Sequence, residues 1–283
     1  MEKSDILKII ERVAPVTRGV VEEHPTHKYL KIRQFTLCRP ETMPWLEHVW
    51  TVEWDLPHGC EHSQRTVPFP VFNLVADQQK GCGLHGCTSN FFEYLLKGRG
   101  QVVGFRFKPA AQSAFYPDMA SDLTDNSTPT NSILSDVAGR QLIELANTII
   151  NRASIARCLT TLSQEARAVS PTALSVQKIV KYIEAQPHVF RVRDLAETFQ
   201  HSERTLQRLF DAHLGISPKL VIERFRIHNA LSACKLGSSV DLAQLALRLG
   251  YFDQSHFTNA FKRVVGISPA EYSAQRTVQL SSK

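Results

Sequence analysis

No run of about eighteen apolar residues occurs in the 283-residue chain, so none of its segments reads as a helix that crosses a membrane. The first residues carry no leader pattern, and the expected location is cytoplasmic, without a membrane partner. Nor does the sequence hold a phosphate-cradling P-loop, a G-x-S-x-G nucleophile elbow or a metal-binding H-E-x-x-H helix. Without such a constellation the chain is not expected to be an enzyme, and no cofactor is expected. Paired C-x-x-C knuckles are also missing. The six cysteines, Cys38, Cys60, Cys82, Cys87, Cys158 and Cys234, are too scattered for a disulfide framework in a cytoplasmic chain.

What the sequence does hold is basic charge concentrated in one half. Thirty-three Lys and Arg against 27 Asp and Glu leave a net charge of +6 and a pI near 9.0. Residues 172–276 contain 14 basic and nine acidic side chains, so five of the six surplus charges lie there. Such an asymmetry favours a polyanion as partner.

The same half carries a helical pattern. Leu242, Leu245, Ala246 and Leu249 keep helical spacing up to Gly250, and Phe257, Ala260, Phe261, Val264 and Val265 mark a second helix. Gly266 closes that helix, and Ser268 with Pro269 restarts the chain. Two short helices joined by a glycine-containing turn form a helix-turn-helix. Gln254, Ser255, Asn259, Lys262 and Arg263 are left off the apolar face, and amides, a hydroxyl and cations suit base edges and phosphates. The pattern recurs upstream. Leu195–Pro218 aligns with Leu245–Pro269, matching Leu206 with Phe257, Phe210 with Phe261 and the two Gly-Ile-Ser-Pro ends. The second copy is one residue longer, in the turn. Joined by a helical run over 218–236, two copies predict a domain with two reading heads, because a solenoid needs at least three repeats.

These residues, above all Gly250-Tyr-Phe-Asp-Gln-Ser-His-Phe257, Phe261-Lys-Arg263 and Gly266-Ile-Ser-Pro269, resemble the DNA-binding domain of the AraC/XylS family of bacterial transcription regulators. The resemblance covers residues 172–276. It implies sequence-specific binding of double-stranded promoter or operator DNA, with base contacts at Arg204, Gln207 and Arg208 in the first unit. In the second unit it places them at Gln254, Ser255, His256 and Asn259. Spacing sets Leu206, Leu209, Phe210 and Leu214 toward the core and puts Ser202 at the helix N-cap. Arg224, Arg226, Lys262 and Arg263 are the candidate phosphate contacts. The chain departs from the family at Gln200, where Gly is usual and a left-handed residue costs about 1 kcal/mol. It departs again at Asn259, where a basic residue is common.

The expected fold class is α+β: a β-rich, barrel-like sensory or oligomerisation domain over 1–132, a helical region and linker over 133–171, the all-α double helix-turn-helix domain, and a tail over 277–283. Ser4 is expected to cap an amphipathic helix carrying Ile6, Leu7, Ile9, Ile10 and Val13. From Lys28 to Lys108 short aromatic and β-branched segments alternate with Pro, Gly and polar clusters, as strands do. Lys97-Gly-Arg-Gly100 is expected to close a hairpin, and Pro68 and Pro70 to push their strand to an edge or a break. Helical spacing from Ile133 to Leu162 predicts two or three helices, and 165–172 reads as a linker. The Ile/Leu stripe on those helices reads as intramolecular core rather than a dimer seam. Family resemblance implies that the front domain binds a small-molecule effector or pairs the chain into a homodimer, with RNA polymerase as a partner if the protein is an activator. The alternative rests on His58, Cys60, Cys82, His85 and Cys87. With His62 and Glu61 they carry zinc-type ligands, so a metal- or thiol-dependent sensor, or a cupin-like enzyme domain fused to a DNA reader, stays open.

Overall fold

The computed structural model describes residues 8–13, 28–235 and 240–280. Its strands are β1 (Ile9–Val13), β2 (Leu30–Leu37), β3 (Leu46–Asp55), β4 (Glu61–Thr66), β5 (Asn73–Asp77), β6 (Gly81–His85), β7 (Phe92–Lys97), β8 (Arg99–Phe107) and β9 (Ser127–Pro129). Seven of them form one antiparallel sheet in the order β1-β2-β3-β8-β5-β6-β9, and β4 pairs with β7 in a separate ribbon. The ladders therefore run in an open order with β1 and β9 at the two ends. Period-2 alternation sorts the side chains. On β8, Val103, Phe105 and Phe107 enter the main core, while Val102 joins Trp54, Leu56 and Leu96 in a smaller cluster on the other face. Trp45 meets Phe107 and Phe115 edge-on, with ring centroids 5.1 and 4.9 Å apart.

Two local expectations are corrected. Ile9–Val13 is a strand paired with β2 rather than part of a helix, because Ile9, Ile10 and Val13 fit either period and the open edge of β2 satisfies their backbone. Ser4, Ile6 and Leu7 lie outside the described residues. The Lys97–Gly100 stretch does not close a hairpin. Gly98, at φ +53°, passes the chain from the ribbon to the large sheet, so β7 pairs with β4 while β8 pairs with β3 and β5. Around Pro68 and Pro70 the chain leaves its ladder between Thr66 and Asn73, as proline requires.

Helices α1 (Asp136–Asn147) and α2 (Arg152–Glu165) follow. Ser135 caps the first, and Asn151 with Ser154 forms a capping box on the second. Leu142, Leu145, Ile150, Ile155, Leu159 and Leu162 are buried in the chain's own core, whereas Val137 and Ile149 face outward. Residues 166–170 then lead into α3 (Pro171–Ala185), pinned by a 2.9 Å bond from the Arg167 amide to the Ala114 carbonyl.

The remaining helices form two similar units. In the first, α4 (Val192–Thr198) turns through Gln200 into α5 (Glu203–Leu214); in the second, α7 (Leu242–Arg248) turns through Gly250 into α8 (Gln254–Val265). A long helix, α6 (Pro218–Lys235), joins them, and α9 (Pro269–Leu280) packs behind the second. Gln200 and Gly250 occupy the same left-handed position, at φ +54° and +74°. Gln200 therefore bears the strain expected of a non-glycine residue there; the turn has not been rebuilt to avoid it.

Candidate nucleic-acid interface

Each unit presents one helix outward because its cap and its apolar stripe leave no other choice. The Ser202 hydroxyl accepts the Thr205 amide at 3.0 Å and starts α5; the Asp253 carboxylate accepts the His256 amide at 2.7 Å and starts α8. Gly215 and Gly266, both left-handed, end these helices, and Pro218 and Pro269 begin the next ones. Leu206, Phe210 and Leu214 on α5, and Phe257, Ala260, Phe261, Val264 and Val265 on α8, are buried. Leu209 is partly buried against the first core.

The structure brings the expected base-reading residues onto two exposed faces. Arg204 lies about one turn from the adjacent Gln207 and Arg208, and all three are exposed on the outer side of α5. Gln254, Ser255, His256 and Asn259 are exposed on α8, with the His256 ring edge-on to Tyr251 at 5.3 Å. Both faces start at helix N-termini, where backbone N–H groups favour anions.

The four expected phosphate contacts divide. Lys262 is exposed beside the α8 face. Arg263 is exposed too, but its guanidinium is paired with Glu223 on α6. Arg226 is half-buried, lying over the Tyr251 ring at 3.7 Å and the Phe190 ring at 5.5 Å, with its pKa pushed down by burial. Arg224 is a correction: it is fully buried, and its Nη1 and Nη2 donate to the carbonyls of Pro68 at 3.1 Å and Thr88 at 2.7 Å. An arginine with no exposed surface cannot reach a phosphate in this arrangement. Sequence reasoning missed that role, and spacing could not have found it. Both acceptors are backbone atoms of residues 156 and 136 positions away.

The cysteine and histidine clusters gain nothing from the fold. Among the described residues no group of three or more His, Cys, Asp and Glu side chains comes together as a metal site. Cys60 is exposed, Cys82 half-buried and Cys87 buried, and burial pushes the Cys87 thiol up to about 12. No helix among the described residues is long and apolar enough to cross a membrane.

Comparison with known proteins decides what the paired units are. Residues 195–275 match the family described as a helix-turn-helix domain, and residues 38–129 match a domain of unknown function (DUF6597). An AraC-like transcription regulator of Streptomyces lividans is 37% identical over 87 residues, which are 31% of this chain and 28% of that protein. Residues 195–275 are a helix-turn-helix domain similar to those of AraC-like regulators. The HTH-type transcriptional activator RhaS of Escherichia fergusonii is 31% identical over 86 residues, 30% of this chain and 31% of the relative. The matched stretch thus spans about a third of the length of these curated relatives. Among solved structures, the C-terminal domain of AraT, a response regulator from Geobacillus stearothermophilus, is 27% identical with a TM-score of 0.34, covering 39% of this chain and 89% of its own. Within residues 195–275, the buried stripes of α5 and α8 hold those two helices in place.

Proposed function

We propose that the chain is a sequence-specific, DNA-binding transcription regulator, and that α5 and α8 each read one major groove. The observation that carries this is the pair of exposed polar faces, one per helix-turn-helix unit. Arg204 and Arg208 can each bridge guanine O6 and N7, Gln207 and Asn259 can pair with adenine N6 and N7, and Lys262 supplies a phosphate contact. Arg263 joins the phosphate contacts once it exchanges Glu223 for the DNA backbone. The sheet region, matched to a domain of unknown function, is proposed to carry regulation through a small-molecule effector or through pairing of two chains. RNA polymerase is the further partner if the regulator activates.

Two substitutions separate reading from holding. Arg208→Ala should cost about 1–3 kcal/mol on the preferred duplex and relax preference at one base position. Lys262→Ala should weaken binding to all sequences alike and reduce the slope of log affinity against log salt by about one unit. Titration of both variants against preferred and random duplexes checks the assignment. Equal weakening of both duplexes by Arg208→Ala would move that residue to the phosphate class.

A further inference from the structure

The sheet region does not merely precede the reading domain; it is packed into both halves of it. The main hydrophobic core runs without a break from the sheet through Leu206 and Phe210 of α5 to Val221, Ile222 and Phe225 on α6. The second unit has its own core, which begins on α6 at Ile227, and one sheet-region residue, Val67, is buried inside it. Residues 65–69 therefore cross α6 where the two cores meet. Along that crossing the Pro68 carbonyl accepts from Arg224, and the Phe69 ring stacks on His228 at 4.0 Å with Arg106 over its face at 4.4 Å. At the two ends, the Thr124 hydroxyl donates to the Gly215 carbonyl at 2.6 Å, and Arg65 and Phe91 lie against Gly266. Gly215 and Gly266 are the glycines that terminate the two reading helices. One scaffold thus grips the end of each reading helix and the middle of the helix between them.

The opposite side of α6 is held differently. Arg226, two positions and so about 200° around from Arg224, lies between Phe190, which precedes the first unit, and Tyr251 in the turn of the second. Unit-to-unit packing fixes one side of α6, and the sheet region fixes the other through a buried guanidinium. Burial lowers the Arg224 pKa, as expected of a cation taken from water, and its two carbonyl bonds replace part of that hydration.

We propose that the sheet region is a brace that sets the spacing and rotation of the two reading helices, with Arg224 as its positioning residue. The full chain then accepts DNA only where its two contact patches keep one fixed separation. This rests on the reading that both units bind DNA. One extra base pair between the patches shifts one by about 3.4 Å and rotates it by about 34°, more than a braced pair of helices can follow.

The test uses the full chain and a duplex selected from random DNA for tight binding, with variants carrying one or two base pairs inserted or deleted between the protected patches. The braced wild type should lose about tenfold or more in affinity for each base pair of mis-spacing. Arg224→Met should keep most of its affinity at the native spacing and lose less than about threefold per base pair. Thr124→Val, which removes the clasp on Gly215 and leaves the buried core intact, should flatten the profile in the same sense and carries the test should Arg224→Met fail to fold. Spacing profiles for the folded variants that superimpose on the wild type would overturn the brace. A wild type that selects no preferred duplex at all would instead overturn the regulator reading beneath it.

Discussion

Phe261→Ala should cost about 3–5 kcal/mol of stability, the range for emptying a buried aromatic position. Phe261 is fully buried on α8, with Phe257 at 5.7 Å and Tyr272 of α9 at 6.0 Å between ring centroids. The Tyr272 contact holds the second reading helix against the helix behind it, and Phe257, one turn earlier on α8, meets Tyr251 of the turn at 5.3 Å between ring centroids. Because a domain commonly has only about 5–15 kcal/mol in total, the loss should remove specific and non-specific binding by the second unit together. Denaturant melts paired with DNA titration check this. A variant of wild-type stability that still failed to bind would show that Phe261 contacts DNA rather than core.

The second large effect lies in the turn. Gly250→Ala places a side chain at φ +74°, which costs about 1–2 kcal/mol, and its Cβ would sit 2.6–2.8 Å from three ring atoms of Phe190. That ring cannot give way freely, since Arg226 lies over it and over Tyr251. Overpacking adds about 1–3 kcal/mol, so thermal melts should show a marked loss. The matching position in the first unit predicts the opposite sign: Gln200→Gly relieves a strained residue and should gain about 0.5–1 kcal/mol. A neutral Gly250→Ala, or a destabilised Gln200→Gly, would mean that the two turns are not equivalent.

Much of the reading domain was legible in the chain because its signals are local. Helical spacing of Leu206, Phe210 and Leu214 and of Phe257, Phe261 and Val264 marked the buried stripes, and Gly215-Ile-Ser-Pro218 and Gly266-Ile-Ser-Pro269 marked where the helices stop and restart. The front half was legible only as strands. Strand order depends on pairings between distant segments, and Gly98 could as well have closed a hairpin as carried the chain from β7 to β8. Ile9, Ile10 and Val13 suit a helix or a strand, and the free edge of β2 decided between them. Arg224 misled for a related reason. An arginine on a helix of a basic domain reads as a phosphate contact until the fold supplies the Pro68 and Thr88 carbonyls.

Both units are expected to read DNA at once. Footprinting of the monomeric full chain on its selected duplex measures this directly. Two protected patches about 34 Å apart on one face of the duplex are predicted, one per reading helix, and they need not be palindromic because the faces of α5 and α8 differ. A single protected patch per monomer would contradict it, leaving one unit as the reader and the other as its support.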